Sequence, residues 1–290
     1  MAIIIDGKQI ARELLATIRR EVDERNLKLR LGIVITAEDP ATNSFVRSKV
    51  RAGEAAGIEV RIYKEFTYKN SANKLRARVG ELLKGNDAMI IQLTGRNGVE
   101  NIQRALDAVP LGMDVDVLSS DANGDFLTGK GKWLPPLVSA VRKILSYGNP
   151  PVVDVKGKEV VVVGTGPVAG RPVSIWFIRE GATVTPVNKY TRDVSFYTRH
   201  ADIIVSCVGK QGIITGDMVK DGVIAIDVGM STGEDGKLHG DFDFNSVAQK
   251  AAIITPVPGG VGPIAVAMLM ENTLRTRLTE NAAAAEENQF

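Results

Sequence analysis

The chain has 290 residues, a formal net charge of +2 and a charged fraction of 24%. This near-neutral balance gives no general attraction to nucleic acid or to a membrane surface, and the length suits two domains of ordinary size. The single cysteine, Cys207, excludes an intrachain disulfide, and His200 and His239 lack the ligand-spaced partners of a metal site. We therefore expect a cytoplasmic protein with no metal and with neither a nucleic-acid nor a membrane partner.

Short apolar runs alternate with helical patterns in the first half of the chain. Apolar residues recur at every fourth position from Ile10 to Val22, which predicts one face of a helix. Further helices are predicted over 42–56, 71–83 and 135–145, with strands over 31–35, 59–66 and 88–93. This alternation predicts a mostly parallel sheet with helices on both faces.

A second β-α series follows a proline-rich turn at residues 148–151. Its predicted strands cover 159–163, 182–187, 203–208 and 223–228. We predict an α/β protein with an N-terminal catalytic domain over 1–148 and a Rossmann-type, doubly wound dinucleotide-binding domain over 149–264. The C-terminal helix, over 265–290, is expected to pack back on the first domain.

Three glycines, Gly164, Gly166 and Gly170, lie between a predicted strand and a predicted helix. In this variant of the dinucleotide fingerprint the first glycine permits a tight turn, the second admits the pyrophosphate and the third allows close helix–strand packing. An ordinary turn between strand and helix is the alternative.

The next strand ends at Asn188-Lys189 rather than at an acidic residue, so Lys189 can neutralise a 2′-phosphate and NADP is favoured over NAD. A solvated Lys189 is the alternative reading here.

Two more predicted strands end next to glycine, at Gly209 and Gly229. Ligands of open α/β sheets bind outside the carboxyl ends of the strands, so both glycines are placed to line the cofactor cleft, unless they are simple turns. The candidate cofactor-binding residues are Gly164, Thr165, Gly166, Val168, Gly170, Arg171, Pro172, Asn188, Lys189, Val208, Gly209, Asp227 and Gly229.

Several polar residues of the first half could meet at one edge of its sheet. Phe45 and Lys49 are four residues apart in a predicted helix, so they share a face. Gln92 lies near the end of a predicted strand, and Asp114 and Asp116 would point the same way if their segment is extended. A solvated surface lysine is the alternative for Lys49.

The run at residues 254–263, Ile-Thr-Pro-Val-Pro-Gly-Gly-Val-Gly-Pro, contains three prolines and three glycines. Proline fixes φ and glycine allows positive φ, so the backbone path is unusual. A loop of this kind between a strand and a helix typically holds a ligand against backbone N–H groups. A tight structural turn is the alternative.

Five segments resemble the signatures of the methylenetetrahydrofolate dehydrogenase/methenyltetrahydrofolate cyclohydrolase family: the 254–263 run, the loop from Gly164 to Gly170, residues 44–49, residues 90–93 and Asp114-Val115-Asp116. The resemblance implies NADP-dependent oxidation of 5,10-methylenetetrahydrofolate and, in many members, hydrolysis of the methenyl product to 10-formyltetrahydrofolate. It also implies a homodimer that acts on tetrahydrofolate one-carbon derivatives and serves purine biosynthesis.

The same resemblance implies roles for individual residues. Lys49, close to Gln92, would activate water or stabilise charge at the one-carbon bridge, and Asp116 would bind the amino and ring nitrogens of the pterin. These three are the candidate catalytic residues. The candidate substrate-binding residues are Phe45, Asp114, Pro258, Gly259 and Gly260, the last three in a loop expected to border folate and nicotinamide together.

The folate half departs from the family pattern at four places. Phe45 stands at the usual tyrosine position, Thr94-Gly95-Arg96 replaces a proline-rich continuation, Val117 replaces a glycine, and Trp133-Leu134-Pro135-Pro136 replaces a Pro-Cys-Thr-Pro run. In the cofactor half, Gly166 stands where serine is typical. Hydride transfer needs no proton relay. We therefore expect these substitutions to affect the dehydrogenase activity less than the cyclohydrolase activity. The open alternatives are a dehydrogenase-only variant on a modified pterin, another two-domain NADP dehydrogenase, and a non-catalytic dinucleotide-binding sensor.

Overall fold

The computed structural model describes residues 2–37, 40–66, 71–93, 100–147 and 153–287, without the side chains of residue 41 and of residues 279–287. The chain forms two compact units. The six-stranded unit contains the residues up to 11 together with 137–265, and the three-stranded unit contains 12–136 together with the residues from 266 onward. The predicted domain limits at residues 148 and 264 stay predictions.

Helices and strands alternate over residues 3–92 and again over residues 159–206. The first half contains, in order, β1 (Ile3–Ile4), α1 (Gly7–Glu24), β2 (Leu29–Ile35), α2 (Pro40–Ala56), β3 (Ile58–Lys64), α3 (Ala72–Leu82), β4 (Ala88–Gln92), α4 (Gln103–Leu106), α5 (Ser120–Thr128) and α6 (Pro136–Ser146). The second half contains β5 (Glu159–Val163), α7 (Gly170–Arg179), β6 (Thr183–Val187), α8 (Val194–Thr198), β7 (Ile203–Ser206), β8 (Ile224–Asp227), β9 (Ser231–Thr232), β10 (Leu238–His239), α9 (Phe244–Ala248), β11 (Ile253–Ile254) and α10 (Val261–Glu287). The predicted strands are confirmed, and their ends differ from the observed ones by at most two residues.

The sheet of the three-stranded unit is parallel, with β2 between β3 and β4. Successive side chains of a strand point to opposite faces, and both Ile33 and Val34 are fully buried, so β2 is covered on both faces. At the carboxyl edge, Ile35 pairs with Lys64 on one side and with Gln92 on the other. Helix α2 begins at Pro40, shortly after this edge.

The last helix joins the three-stranded unit from Val266 onward, as predicted. Its Asn272 side chain donates hydrogen bonds through Nδ2 to Val115 O at 2.9 Å and to Leu134 O at 3.0 Å. None of the described helices carries an apolar stretch long enough to cross a membrane.

The sheet of the six-stranded unit has the order β1-β11-β8-β7-β5-β6, and all its strands are parallel. Strand β5 lies between β6 and β7, so the direction in which strands are added reverses beside it. Ligands of doubly wound sheets bind at such a switch point, outside the carboxyl ends of the strands. The loop from Gly164 to Gly170 follows β5 at this point.

Two glycines of this loop have contrasting surroundings. A Cβ added to Gly170 would lie 1.9 Å from Gly164 O, so only glycine lets the start of α7 pack this closely on the end of β5. A Cβ added to Gly166 would have no described atom within 4 Å, so this part of the loop is open. The third glycine of the fingerprint therefore serves helix–strand packing, and the second leaves space for a ligand.

We predict that Gly170→Ala destabilises the protein, because backbone must move to relieve the contact with Gly164 O. The expected loss in the free energy of unfolding is about 1–3 kcal/mol. Thermal unfolding of Gly170→Ala and of Gly166→Ala as its matched control measures the difference. Equal unfolding temperatures in the two variants would contradict the packing role of Gly170.

Candidate active site

Lys49 and Gln92 meet at the carboxyl edge of the three-stranded sheet. Lys49 lies on α2, Gln92 ends β4, and Lys49 Nζ donates a hydrogen bond to Gln92 Oε1 at 2.8 Å. Gln92 Nε2 donates to Leu93 O at 3.3 Å, which directs the Oε1 atom toward the lysine. Both side chains are half-buried. The sequence prediction that these two residues converge is confirmed.

Asp116 and Lys49 are close enough to affect each other's ionisation. Burial lowers the pKa of the Lys49 ammonium, and the negative charge of Asp116 partly opposes this shift. Burial likewise raises the pKa of Asp116, and the positive charge of Lys49 partly opposes that shift. In both residues the loss of hydration outweighs the mutual attraction, so the site favours uncharged forms more than water does. A lysine in this setting is suited to accept a proton.

Phe45 lies one helical turn before Lys49 on α2. This residue is 40% exposed. Side chains four residues apart share a helix face, so this apolar ring is available beside the lysine for stacking on a flat ligand.

Asp114 has a different environment from the one that the sequence suggested. The predicted extended segment is wrong: residues 111–113 and 115–116 form turns, and only Asp114 bridges to Met89. The Asp114 side chain is buried, and its Oδ2 atom accepts hydrogen bonds from Leu118 N at 3.0 Å and Ser119 N at 2.7 Å. Burial raises the pKa of Asp114, and these N–H groups oppose that rise. Asp114 therefore fixes the backbone that leads into α5.

Two of the departures from the family pattern lie around this turn. Val117 has φ +59°, in the left-handed region that favours glycine, and its side chain is buried. A β-branched residue with this φ carries strain of order 1–3 kcal/mol. Trp133 is also buried and donates through Nε1 to Asp114 O at 2.8 Å. A third departure, Thr94-Gly95-Arg96, lies outside the described residues.

In the six-stranded unit, the glycine-rich loop presents its backbone at the switch point of the sheet. Gly164 has φ +102°, which permits the tight turn after β5. Arg171 ties the loop to α7, because its backbone N–H donates to Gly166 O at 3.0 Å and its Nε donates to Thr165 O at 3.1 Å. Val168 is exposed on the loop, and Pro172 is buried in the first turn of α7, where a helix tolerates proline.

The end of β6 forms a compact turn that exposes Lys189. Asn188 N donates to Thr191 Oγ1 at 3.0 Å, and Tyr190 N donates to Asn188 Oδ1 at 2.9 Å. The Lys189 ammonium lies 5.0 Å from the centroid of the Tyr190 ring, and both side chains are exposed. This edge therefore offers a positive charge where an acidic residue would select NAD.

Asp241 is a functional residue that the sequence analysis missed. It is fully buried and accepts hydrogen bonds at Oδ2 from Ser206 Oγ at 2.6 Å and Val208 N at 2.7 Å, and at Oδ1 from Lys210 N at 2.8 Å. A Cβ added to Gly229 would lie 2.1 Å from this carboxylate. Asp241 thereby fixes the loop after β7, with Val208 and Gly209, and its carboxylate occupies the space that a side chain at position 229 would need. Its partners lie more than 30 positions away along the chain, so no local pattern marks it.

Asp227 ends β8 beside Asp241, and its side chain is only 3% exposed. Its Oδ2 atom accepts from Phe242 N at 3.0 Å, whereas Oδ1 has no partner among the described atoms. Burial raises the pKa of Asp227 to about 7, the Asp241 charge adds to the rise, and the Phe242 N–H group opposes it. The enclosed carboxyl group supports the end of β8 from within rather than facing solvent.

The proline- and glycine-rich run links β11 to α10. Asp227 N donates to Thr255 Oγ1 at 2.7 Å, which ties the start of the run to β8. Gly259 has φ +108°, and a Cβ added to Gly7 would lie 1.8 Å from Gly260 O, so the run packs directly against the first turn of α1. Pro258 is exposed at the tip, Gly259 is half-buried and Gly260 is buried.

The ionisation of Asp227 gives a prediction about stability. Between its ordinary pKa of 3.8 and about 7, the folded chain keeps a proton that the unfolded chain releases. The free energy of unfolding therefore falls as pH rises through this window, by at most about 4 kcal/mol. Asp227→Asn removes this contribution. We therefore expect the unfolding temperature of the variant, measured relative to that of the parent protein, to rise between pH 5 and pH 8. The exposed Asp221→Asn is the control, and equal pH dependence in all three proteins would contradict the proposal.

Comparison with known proteins identifies the family. A family model described as the catalytic domain of tetrahydrofolate dehydrogenase/cyclohydrolase matches residues 5–116, and the NAD(P)-binding domain of the same family matches residues 137–281. The chain is 35% identical over 273 residues to a bifunctional protein FolD of Caldanaerobacter subterraneus subsp. tengcongensis, covering 93% of this chain and 95% of that protein. It is 37% identical over 276 residues to the FolD protein of Moorella thermoacetica, covering 93% and 97%.

Solved structures give the same result. The bifunctional FolD enzyme of Campylobacter jejuni superposes with a TM-score of 0.87 at 32% identity, covering 97% of this chain and 100% of that one. The FolD of Trypanosoma brucei, solved with NADP cofactor and inhibitor, superposes with a TM-score of 0.85 at 31% identity, covering 95% and 97%. This chain belongs to the tetrahydrofolate dehydrogenase/cyclohydrolase family.

Proposed function

We propose that this protein oxidises 5,10-methylenetetrahydrofolate to 5,10-methenyltetrahydrofolate with NADP and hydrolyses that product to 10-formyltetrahydrofolate. The observation that carries the proposal is the hydrogen bond from Lys49 Nζ to Gln92 Oε1, in a half-buried position beside Asp116. The family matches to both halves of the chain support it and disfavour another kind of two-domain dehydrogenase.

The residues of the six-stranded unit fit a bound NADP. The open space at Gly166 suits close approach of a pyrophosphate, and the exposed Lys189 suits a ribose 2′-phosphate. When bound, NADP accepts the hydride from the one-carbon bridge. The proposed cofactor-binding residues are Gly164, Thr165, Gly166, Val168, Gly170, Arg171, Pro172, Asn188, Lys189, Val208, Gly209 and Gly229, with Asp227 as a support from within.

The folate is proposed to bind through the Lys49 face of α2. The exposed ring of Phe45 stacks on the pterin, and Asp116 accepts hydrogen bonds from the pterin N–H groups. Pro258, Gly259 and Gly260 border the one-carbon group and the nicotinamide. Asp114 contributes indirectly, because its carboxylate is already bonded to backbone N–H groups.

Lys49 is proposed to serve the hydrolytic step. A neutral amine at Nζ takes a proton from the water whose oxygen attacks the methenyl carbon, and the Gln92 amide keeps the amine pointed at that position. The bond from the one-carbon group to the pterin ring nitrogen then breaks as the hydroxyl oxygen of the adduct becomes the formyl oxygen. The proton held by Lys49 passes to that nitrogen, and the hydroxyl proton is released to solvent. Hydride transfer requires no such relay, only correct orientation of the donor carbon and the acceptor ring.

Three further properties are proposed on the strength of the family alone. The protein acts as a homodimer in the cytoplasm, and it supplies one-carbon units to biosynthesis, including that of purines. Residues 1–148 are proposed to form the folate-binding domain and 149–264 the NADP-binding domain.

The direct test is a spectroscopic assay of the purified protein with methylenetetrahydrofolate and NADP⁺, with NAD⁺ in parallel. We expect reduced nicotinamide to appear faster with NADP⁺, and methenyltetrahydrofolate to be consumed faster than its spontaneous hydrolysis. Accumulation of methenyltetrahydrofolate would indicate a dehydrogenase-only enzyme. NADP binding without turnover would indicate a sensor and would contradict the proposed function.

Lys49→Ala is expected to reduce the enzymatic hydrolysis of methenyltetrahydrofolate by about 10²–10⁴-fold, because it removes the proton acceptor. The affinity for NADP measured by fluorescence titration should be unchanged. The parent enzyme should also gain hydrolytic kcat/KM with rising pH through an apparent pKa below the ordinary lysine value of 10.5, since burial favours the neutral amine. Lys49→Arg, which keeps the charge, is the control, and unchanged hydrolysis in Lys49→Ala would rule out this role.

A further inference from the structure

The turn that carries Asp116 is bonded to three separate parts of the three-stranded unit. Three successive carbonyl oxygens accept hydrogen bonds: Met113 O from Met89 N at 2.9 Å, Asp114 O from Trp133 Nε1 at 2.8 Å, and Val115 O from Asn272 Nδ2 at 2.9 Å. The donors come from β4, from the run before α6 and from α10. The backbone is therefore fixed from three directions immediately before Asp116.

The backbone after Asp116 is fixed as well. Val117 O accepts a hydrogen bond from Asn123 Nδ2 at 3.0 Å, and Leu118 N donates to the Asp114 carboxylate at 3.0 Å. Between these contacts Val117 has φ +59°, a conformation that persists only when the surrounding structure enforces it. Asp116 thus sits between two anchored stretches, and the residue after it is strained.

The two side-chain donors are buried and linked to each other. Trp133 is 5% exposed and Asn272 is 4% exposed. Asn272 Nδ2 also donates to Leu134 O at 3.0 Å, which joins the Trp133-Leu134 segment and the Asp114-Val115 segment to one side chain of α10. Water cannot easily replace a buried donor, so removing either side chain leaves a carbonyl without its partner.

We propose that Trp133 and Asn272 are positioning residues for pterin recognition: they set the place of the Asp116 carboxylate relative to Lys49. The inference rests on the proposed function, because it takes the pterin N–H groups as the partners of Asp116. A carboxylate that accepts from adjacent N–H donors must lie within hydrogen-bonding distance of both, so a small shift of this turn weakens substrate binding. Trp133, the first residue of the run that replaces the family's Pro-Cys-Thr-Pro, is one of the donors that hold this chain's valine-containing turn.

The experiment compares two tryptophan variants in the full-length enzyme. Trp133→Phe keeps an aromatic ring but loses the N–H donor, and Trp176→Phe changes the other buried tryptophan, which packs on Phe177 in the six-stranded unit. We expect Trp133→Phe to raise the KM for methylenetetrahydrofolate about tenfold, the effect of one weakened contact, with the KM for NADP⁺ within twofold of the parent. Trp176→Phe should leave the folate KM unchanged.

Asn272 provides a second, independent variant. Asn272→Leu should raise the KM for the folate substrate and leave the KM for NADP⁺ within twofold of the parent. Asn272→Gln, which retains the amide donor, should show a smaller rise in the folate KM. Thermal unfolding identifies any variant that fails to fold, and the other residue then decides the question. The positioning role would be overturned if the folded Trp133→Phe and Asn272→Leu enzymes kept the folate KM of the parent. It would also be overturned if their KM values for the folate substrate and for NADP⁺ rose together. Absence of turnover in the parent enzyme would instead overturn the proposed function, so the two failures are distinct.

Discussion

In the three-stranded unit, Lys49 loses part of its hydration and receives one amide oxygen in exchange. A buried ammonium group is costly, and the hydrogen bond to Gln92 and the attraction of Asp116 offset only part of that cost, because burial still lowers the lysine pKa. Lys49 can reach the Gln92 amide because α2 follows β2 along the chain and β4 ends beside the end of β2. The hydrogen bonds to the carbonyl groups of residues 113–115 hold the turn that carries Asp116.

The six-stranded unit uses its buried charges differently. Asp241 accepts hydrogen bonds from Ser206, Val208 and Lys210, so its carboxylate fixes the end of β7 and the loop that follows it. The neighbouring Asp227 has fewer donors, and its pKa rises to about 7. Both carboxylates also dictate glycine nearby: a Cβ at Gly229 would meet Asp241, and one at Gly240 would lie 2.2 Å from Asp227 Oδ2. These two glycines therefore make room for the buried carboxylates.

Much of the fold and part of the site could be predicted from local patterns. Apolar runs and helical periodicity identified the strands, and parallel strands end at a common edge, so the meeting of Lys49 with Gln92 followed from their element ends. The expectation for Asp114 was wrong because the chain turns there. Met113 N and Asp114 N both donate to Pro110 O, at 2.8 and 3.0 Å, and the neighbouring Pro110 and Gly112 are the local turn signal that an extended segment does not fit. Asn272 is separated from Val115 by 157 positions, so only the tertiary structure shows their contact.

Two of the four departures from the family pattern in this half of the chain, Val117 and Trp133, lie at the turn beside Asp116. Lys49, Gln92 and Asp116 are in place, while Val117 and Trp133 change how the adjoining turn is held. The most direct measurement is an NMR titration of the lysine side-chain resonances, with Lys49→Arg used to assign Lys49. We expect its amine to titrate below the ordinary lysine pKa of 10.5, and a midpoint at or above that value would contradict a desolvated, proton-accepting lysine.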